Sequence, residues 1–206
     1  MQGTEEWKES RRGKVTASHI ADIMATGKGG KPSASRENYL IEKALERVTG
    51  NHAPDSFKSA AMQRGTELEP IARAEYELAT GSDVDEVDLI DHPTLPNTGA
   101  SPDGRVSVEG MVEIKCPEQK QHLVTLRTRE IKREYMLQMQ WQMECDRRQW
   151  CDFVSYNPDY PEKLRMVVIR VERNERLLEE IRAAVIAAEE DIVRIVVEIT
   201  DMEEKA

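Results

Sequence analysis

Long apolar runs are missing from this 206-residue chain. None approaches the roughly 20 residues that a membrane-spanning helix needs. The opening M-Q-G-T-E-E-W-K-E-S has no apolar stretch of the kind a secretory signal carries. Cysteine is scarce: Cys116, Cys145 and Cys151 are an odd number at unrelated spacings. That excludes a disulfide framework and a cysteine-rich zinc site, and it points to a reducing, cytoplasmic setting. His19, His52, His92 and His122 have no metal-ligand spacing and read as structural or solvated. There is no internal repeat and no low-complexity linker. What is present is 33% charged and 39% hydrophobic residues, the balance of a soluble globular protein large enough to form a core without staples.

The net charge of −10 argues, taken alone, against a polyanion as partner, because such partners are held by Lys and Arg. The distribution says more than the sum. The first 36 residues carry Lys8, Arg11, Arg12, Lys14, Lys28, Lys31 and Arg36 against Glu5, Glu6, Glu9 and Asp22. The stretch from Lys115 to Arg133 carries six basic residues against Glu118 and Glu130. Acid concentrates around Asp83 to Asp91 and near the C-terminus. An acidic chain with a locally basic channel fits this pattern.

Periodicity and punctuation predict the elements. Thr16 caps a short helix that stops at Gly27, and K-G-G-K-P-S-A-S (28–35) is a polar loop. Ser35 caps a helix through Val48, closed by Gly50, with Leu40, Ile41, Ala44, Leu45 and Val48 at helical spacing. Ser56 to Thr80 is helical in two pieces interrupted at Gly65. Asp83 to Asp91 is a strand, and Pro93 to Gly104 is loop. A hairpin follows, then a long helix over about 129–146, strands over 152–156 and 164–171, and a final helix at about 174–204 capped by Asn174. Helices, sheet, helix, strands and helix in that order predict an α/β fold with a central mixed β-sheet flanked by α-helices, in a single domain over residues 1–206.

The hairpin S-P-D-G-R-V-S-V-E-G-M-V-E-I-K-C-P (101–117) is the most informative segment. Alternation along its second strand puts Val112, Ile114 and Cys116 on one face and Met111, Glu113 and Lys115 on the other. Where Asp103 points depends on the turn. A two-residue loop sets it opposite Cys116, on the core face. A three-residue loop ending in Gly110 at positive φ sets it opposite Lys115, on the face of Glu113. In that second register two carboxylates and an ammonium share a face. Clustered carboxylates supply hard oxygen ligands for Mg²⁺, and a nearby lysine can orient a water. The bland reading of Glu113 and Lys115 is a surface ion pair.

Pro102-Asp103, then nine residues, then Glu113-Ile114-Lys115 resembles the PD-(D/E)xK nuclease signature. The runs R-R-G-K-V-T-A-S (11–18), Q-R-G-T-E-L-E-P (63–70), S-P-D-G (101–104), E-I-K-C-P (113–117) and Y-M-L-Q-M-Q (135–140) come in the order found in the lambda exonuclease or YqaJ-like viral recombinase family. The resemblance implies a PD-(D/E)xK restriction-endonuclease-like core. It implies Mg²⁺, with Mn²⁺ as a substitute, on Asp103, Glu113 and the backbone carbonyl of Ile114. Lys115 would hold the attacking water, and Glu69 would be the additional acid from the preceding helix. Glu67, two residues earlier, lies nearly on the opposite helical face, so the two cannot both serve.

The same resemblance implies a pocket for a 5′-phosphate formed by Arg11, Ser18, Ser101 and Gln138. Arg12 is an adjacent alternative to Arg11, Thr16 and Ser18 also suit plain helix capping, and Gln138 also suits a solvated face. Tyr135, Gln138 and Gln142 recur at helical spacing, which allows Gln138 to face a site. Trp7 reads as a packing anchor close to that pocket, rather than a base-stacking residue. The implied activity is an exonuclease that degrades double-stranded DNA from 5′ to 3′ and leaves 3′ single-stranded tails. The implied partners are DNA ends, two further copies in a homotrimeric ring, and a single-strand annealing protein of phage-type recombination. The missing P-loop G-x-x-x-x-G-K-[ST] agrees with ATP independence. The rival readings are an endonuclease or resolvase on the same core and an inactive DNA-binding module.

Overall fold

Strand β6 (Gly110–Lys115) is the central strand of the larger sheet. The computed structural model describes residues 3–52 and 60–205. In chain order the helices are α1 (Glu5–Arg11), α2 (Ile20–Ile23), α3 (Ala34–Thr49), α4 (Ala60–Thr80), α5 (Gln119–Thr128), α6 (Arg133–Asp146) and α7 (Glu175–Glu203). The strands are β1 (Val15–Thr16), β2 (Val84–Asp85), β3 (Ile90–Asp91), β4 (Thr98–Ala100), β5 (Gly104–Val106), β6, β7 (Trp150–Tyr156) and β8 (Met166–Glu172). A five-stranded sheet runs β2-β5-β6-β7-β8, antiparallel except for the parallel β6/β7 pair, whose crossover is α5 and α6. A three-stranded sheet, β1-β4-β3, stands beside it. This is the expected α/β architecture, a mixed sheet flanked by helices.

Both faces of the large sheet are covered, and the alternation along β6 divides them. Val112 and Ile114 join Val106, Val154 and Tyr156 under Ala72 and Tyr76 of α4. Met111 points the other way, into Met139 and Met143 of α6 with Cys151 and Phe153 of β7. A third cluster packs α2, α3, α6 and α7 around Trp141, Leu137, Tyr39, Ile181 and Ile192. Caps fix the helix ends. Asn174 accepts from the Leu177 N–H at 3.1 Å, and Gly50 closes α3 in the left-handed region at φ 67°.

Several boundaries differ from expectation, each for a tertiary reason. Ser33, not Ser35, caps α3, accepting from the Arg36 N–H at 3.1 Å. Residues 17–19 form a 3₁₀ turn before α2, and the Thr16 hydroxyl makes no cap bond, because it is taken by Arg11. Helix α4 runs unbroken through Gly65 and Pro70, since its Ala72 and Tyr76 face is pinned to the sheet; its expected start at Ser56 lies outside the described residues. The expected strand 83–91 is two short strands in different sheets, and the expected loop 93–104 contains β4. The long helix expected over 129–146 begins only at Arg133. Arg129, in the left-handed region at φ 57°, ends the separate helix α5.

The hairpin turn is a third register. Ser107, Val108 and Glu109 form a three-residue loop, but its positive φ of 58° is at Ser107 rather than Gly110. Gly104 pairs with Val112 and Val106 with Gly110, so the register carries Asp103 opposite Glu113, two positions from Lys115 and on the same face. Gly110 is required for room: a Cβ there would sit 2.1 Å from Cζ2 of Trp150. Gly110→Ala is therefore expected to cost about 1–3 kcal/mol through overpacking. A urea titration showing an unchanged midpoint would contradict that.

Candidate active site

The strand β4 leaves its small sheet at Ala100 and passes through Ser101 and Pro102 to Asp103, where the chain enters the large sheet. That crossing brings Ser101 and Asp103 to the mouth of β6. Asp103 is buried, and its Oδ2 accepts from the Ile114 N–H at 2.6 Å, a backbone bond that fixes the carboxyl against the next strand. Glu113 is 1% exposed. Its Oε1 accepts from Gln138 Nε2 at 2.6 Å and also from the Lys115 ammonium, and its Oε2 accepts from Gln142 Nε2 at 2.6 Å. Gln138 and Gln142 are one helical turn apart on α6, which is why a single helix face can grip both oxygens of one carboxylate. Lys115 also lies over the Tyr135 ring, 5.2 Å from its centroid.

Burial pushes the Asp103 carboxyl well above its usual range, and the neighbouring Glu113 and Glu69 push it further. Glu69 is raised for the same reasons, by burial and by Glu113, against the pull of Arg73 at 2.8 Å. Burial alone would lower Lys115, but Glu113 and Asp103 outweigh it and raise its pKa, so the side chain stays an ammonium at neutral pH. Three carboxyl groups thus crowd one wall, with Lys115 on Glu113 and Arg73 on Glu69.

A second group of residues lies along the same wall. Arg11 at the end of α1 donates to Ser101 Oγ at 3.2 Å, Thr16 Oγ1 at 2.9 Å and Ser18 Oγ at 3.2 Å. Trp7, one turn back, donates from Nε1 to Ser101 Oγ at 3.1 Å, and the Arg11 guanidinium lies over its ring at 4.4 Å. Three hydroxyls and one indole face surround this guanidinium. Arg12 points elsewhere, to Glu9 at 2.6 Å and the Gly50 carbonyl at 2.8 Å. Both groups line one cavity of about 660 Å³ that contains Arg11, Ser18, Ser101, Asp103, Glu113, Ile114, Lys115, Glu69 and Gln138. Every site residue expected from the sequence is in its wall. Glu67 is not; it is exposed and holds Gln63 at 2.9 Å.

Residues 6–149 match the family described as the YqaJ-like viral recombinase domain. The chain belongs to this family. An alkaline exonuclease (LHK-Exo) from Laribacter hongkongensis is 46% identical, over 98% of this chain and 99% of that one, with a TM-score of 0.90; a second structure of it, in complex with dAMP, matches equally. A phage-related exonuclease from Haemophilus somnus 129PT is 18% identical with a TM-score of 0.74, over 90% of this chain and 96% of that one, and shares the fold. No curated protein sequence matches. The YqaJ-like chain is therefore an exonuclease-type enzyme with a PD-(D/E)xK-type fold.

Nucleases of this family generally use divalent metal ions, and the donor set here can be tested against that requirement. Among the described residues no three His, Cys, Asp or Glu side chains stand together in ligand geometry. Asp103 and Glu113 can supply two hard oxygens, and a divalent cation would relieve the burial and the acidic neighbours that raise the Asp103 carboxyl. Mg²⁺ keeps several waters and takes the rest of its octahedron from substrate phosphate, so two carboxylates and a backbone carbonyl suffice. The residues fit the ion.

Trp7, read as a packing anchor close to the pocket, does bond Ser101, a residue 94 positions away. Two contributors escaped the sequence reading. Gln142 carries the helical spacing but nothing that names its partner. Arg64, which lines the cavity and holds the Cys116 carbonyl at 2.8 Å, looks in the sequence like any surface arginine.

Proposed function

We propose that this protein is a Mg²⁺-dependent, ATP-independent exonuclease that hydrolyses double-stranded DNA from 5′ ends and leaves 3′ single-stranded tails for an annealing protein, with Mn²⁺ as a substitute ion. The observation that carries the reading is the joining of two chemistries in one cavity: a guanidinium held by hydroxyls beside an acid-and-lysine cluster. Arg11, Ser18 and Ser101 would bind a terminal 5′-phosphate together with Gln138, which lines the same cavity and also donates to Glu113 Oε1. Asp103, Glu113 and the Ile114 carbonyl would hold the metal, which supplies charge neutralisation at the scissile phosphate and a more acidic water. Lys115, held as an ammonium, would orient the attacking water and offset negative charge rather than remove a proton. Asp103 stays anchored through the Ile114 N–H. Glu69 would add negative charge at the far side of the same wall. The complex of the Laribacter hongkongensis enzyme with dAMP supports a mononucleotide-sized product.

We further propose that residues 1–206 act as one nuclease domain, with three copies forming a ring around DNA. Among the described residues no helix is long and apolar enough to cross a membrane. The deciding experiment uses linear duplexes with a 5′-phosphate or a 5′-hydroxyl, each labelled at either end, beside a covalently closed circle. Release of label from 5′ ends, preference for phosphate and an intact circle are expected. Cutting of the circle would favour the endonuclease reading, and DNA binding without cleavage in Mg²⁺ or Mn²⁺ would favour the inactive module. Arg11→Ala is expected to lower the phosphate preference about 10–100-fold, the worth of a charge-assisted contact. An unchanged preference would move the role away from Arg11.

A further inference from the structure

Gly13 lies two residues beyond Arg11, at the turn that joins α1 to β1. It is buried, with φ at +69°. Both of its backbone groups are held by neighbouring side chains at the end of α3. Its N–H donates to Glu46 Oε2 at 2.7 Å, and its carbonyl accepts from Arg47 Nε at 2.7 Å. Glu46 is itself 5% exposed and is held by Lys43 at 2.8 Å. Arg47 uses Nη2 on both oxygens of Glu189 in α7, at 2.8 and 3.0 Å. A Cβ on residue 13 would meet Arg47 Cγ at 2.8 Å, so glycine is required there by packing as well as by backbone conformation. Arg36 makes a parallel tie from α3 to Asp191 of α7 at 2.9 Å.

We infer that Arg47, with Glu46, is a positioning residue for the 5′-phosphate contact: it clamps the Gly13 turn so that Arg11 is aimed at Ser101 and Ser18, and Glu189 on α7 anchors the clamp. The inference rests on the phosphate-pocket reading above and gives α7 a role in it. A flexible arginine loses its advantage in phosphate recognition when its backbone is free to move, because the ordering must then be supplied on binding. The turn has no regular ladder of its own. Its Lys14 N–H reaches only the Arg11 carbonyl at 3.0 Å, so side chains from α3 supply the rigidity.

The test is a double-mutant cycle read as the ratio of kcat/KM for 5′-phosphate over 5′-hydroxyl duplexes. It uses wild type, Arg11→Ala, Arg47→Ala and the double variant, with thermal midpoints recorded for each. Arg47→Ala is expected to lower the ratio at least about tenfold, mainly through KM for phosphorylated ends, and to lower it no further once Arg11 is alanine. Arg47→Lys keeps a cation beside Glu189 without the planar fork and is expected to give a smaller loss in a well-folded protein. A wild-type ratio in both Arg47 variants would overturn the clamp. So would a loss of equal size in the Arg11→Ala background, which would mean a general structural effect. A wild-type ratio in Arg11→Ala itself would instead refute the pocket reading, and the clamp with it.

Discussion

Lys115→Ala is expected to reduce cleavage of linear duplex DNA by about 10²–10⁴-fold while leaving DNA binding in place. The magnitude follows from the several kcal/mol of charge stabilisation that such a site contributes to phosphoryl hydrolysis, at about 1.36 kcal/mol per decade. The geometry says why one side chain matters so much. Lys115 lies among Asp103, Glu113 and Glu69 and donates to Glu113 Oε1. Without it Arg73 still offsets Glu69, but Asp103 and Glu113 lose their neighbouring cation, and no ammonium remains to hold a water. Lys115→Arg retains the charge, but its larger planar head cannot occupy the same place beside Glu113 and Tyr135, so it is expected to rescue little. Single-turnover assays with saturating enzyme separate this from weakened binding. Cleavage within threefold of wild type for Lys115→Ala would remove the residue from the mechanism.

Why the site was readable in the sequence while parts of the fold were not comes down to the range of the forces involved. Glu113 and Lys115 are two residues apart on one strand, so alternation alone places them together. Asp103 is the instructive case. Its face hung on the loop length: the three-residue loop that forms keeps it on the face of Glu113, and a two-residue loop would have turned it to the core. Its partner was not derivable, because the register was set by Ser107 taking the positive φ and by the Trp150 ring excluding any side chain at position 110. Trp150 reaches that position from the parallel neighbour β7, forty residues on. Strand β4 was invisible for a related reason: Thr98-Gly99-Ala100 has no strand pattern, and Gly99 is there because a Cβ would meet the Ile90 carbonyl at 2.6 Å. Helix α5 is mostly polar and weakly periodic, yet His122 and Thr125 are buried against β7 and the Leu164 carbonyl. Local pattern placed Glu113 and Lys115 on one face, the family resemblance supplied the roles proposed for them, and long-range packing decided the boundaries.

Removing an active-site acid is expected to make the metal-free protein more stable. Asp103→Asn keeps an oxygen to accept from the Ile114 N–H, so the bond at 2.6 Å has a replacement. It removes a carboxylate whose ionised form is disfavoured by burial and by Glu113 and Glu69. The sign of the pH effect follows from the direction of that shift. A carboxyl whose folded pKa lies above its unfolded value stabilises the fold fully below the unfolded value, and that contribution is lost as pH rises through the folded one. For Asp103 the loss therefore begins just above the ordinary aspartate value of 3.8 and is complete once the raised value is passed. In EDTA, above that range, Asp103→Asn is expected to gain about 0.5–2 kcal/mol, the usual size of a stability–activity trade, or roughly 2–6 °C in Tm. Mg²⁺ should reverse the order. On the proposed reading it would bind the folded wild type and raise its Tm by mass action, and it should do little for the variant, which lacks a charged ligand. The same substitution should abolish cleavage, because Asp103 then offers the ion a neutral amide oxygen. Thermal scans of both proteins with EDTA and with Mg²⁺ decide the matter. If Asp103→Asn melts below wild type in EDTA, burying the Asp103 carboxyl beside Glu113 and Glu69 does not destabilise the metal-free fold. If Mg²⁺ leaves the wild-type midpoint unmoved, the pair Asp103 and Glu113 is not where the ion binds.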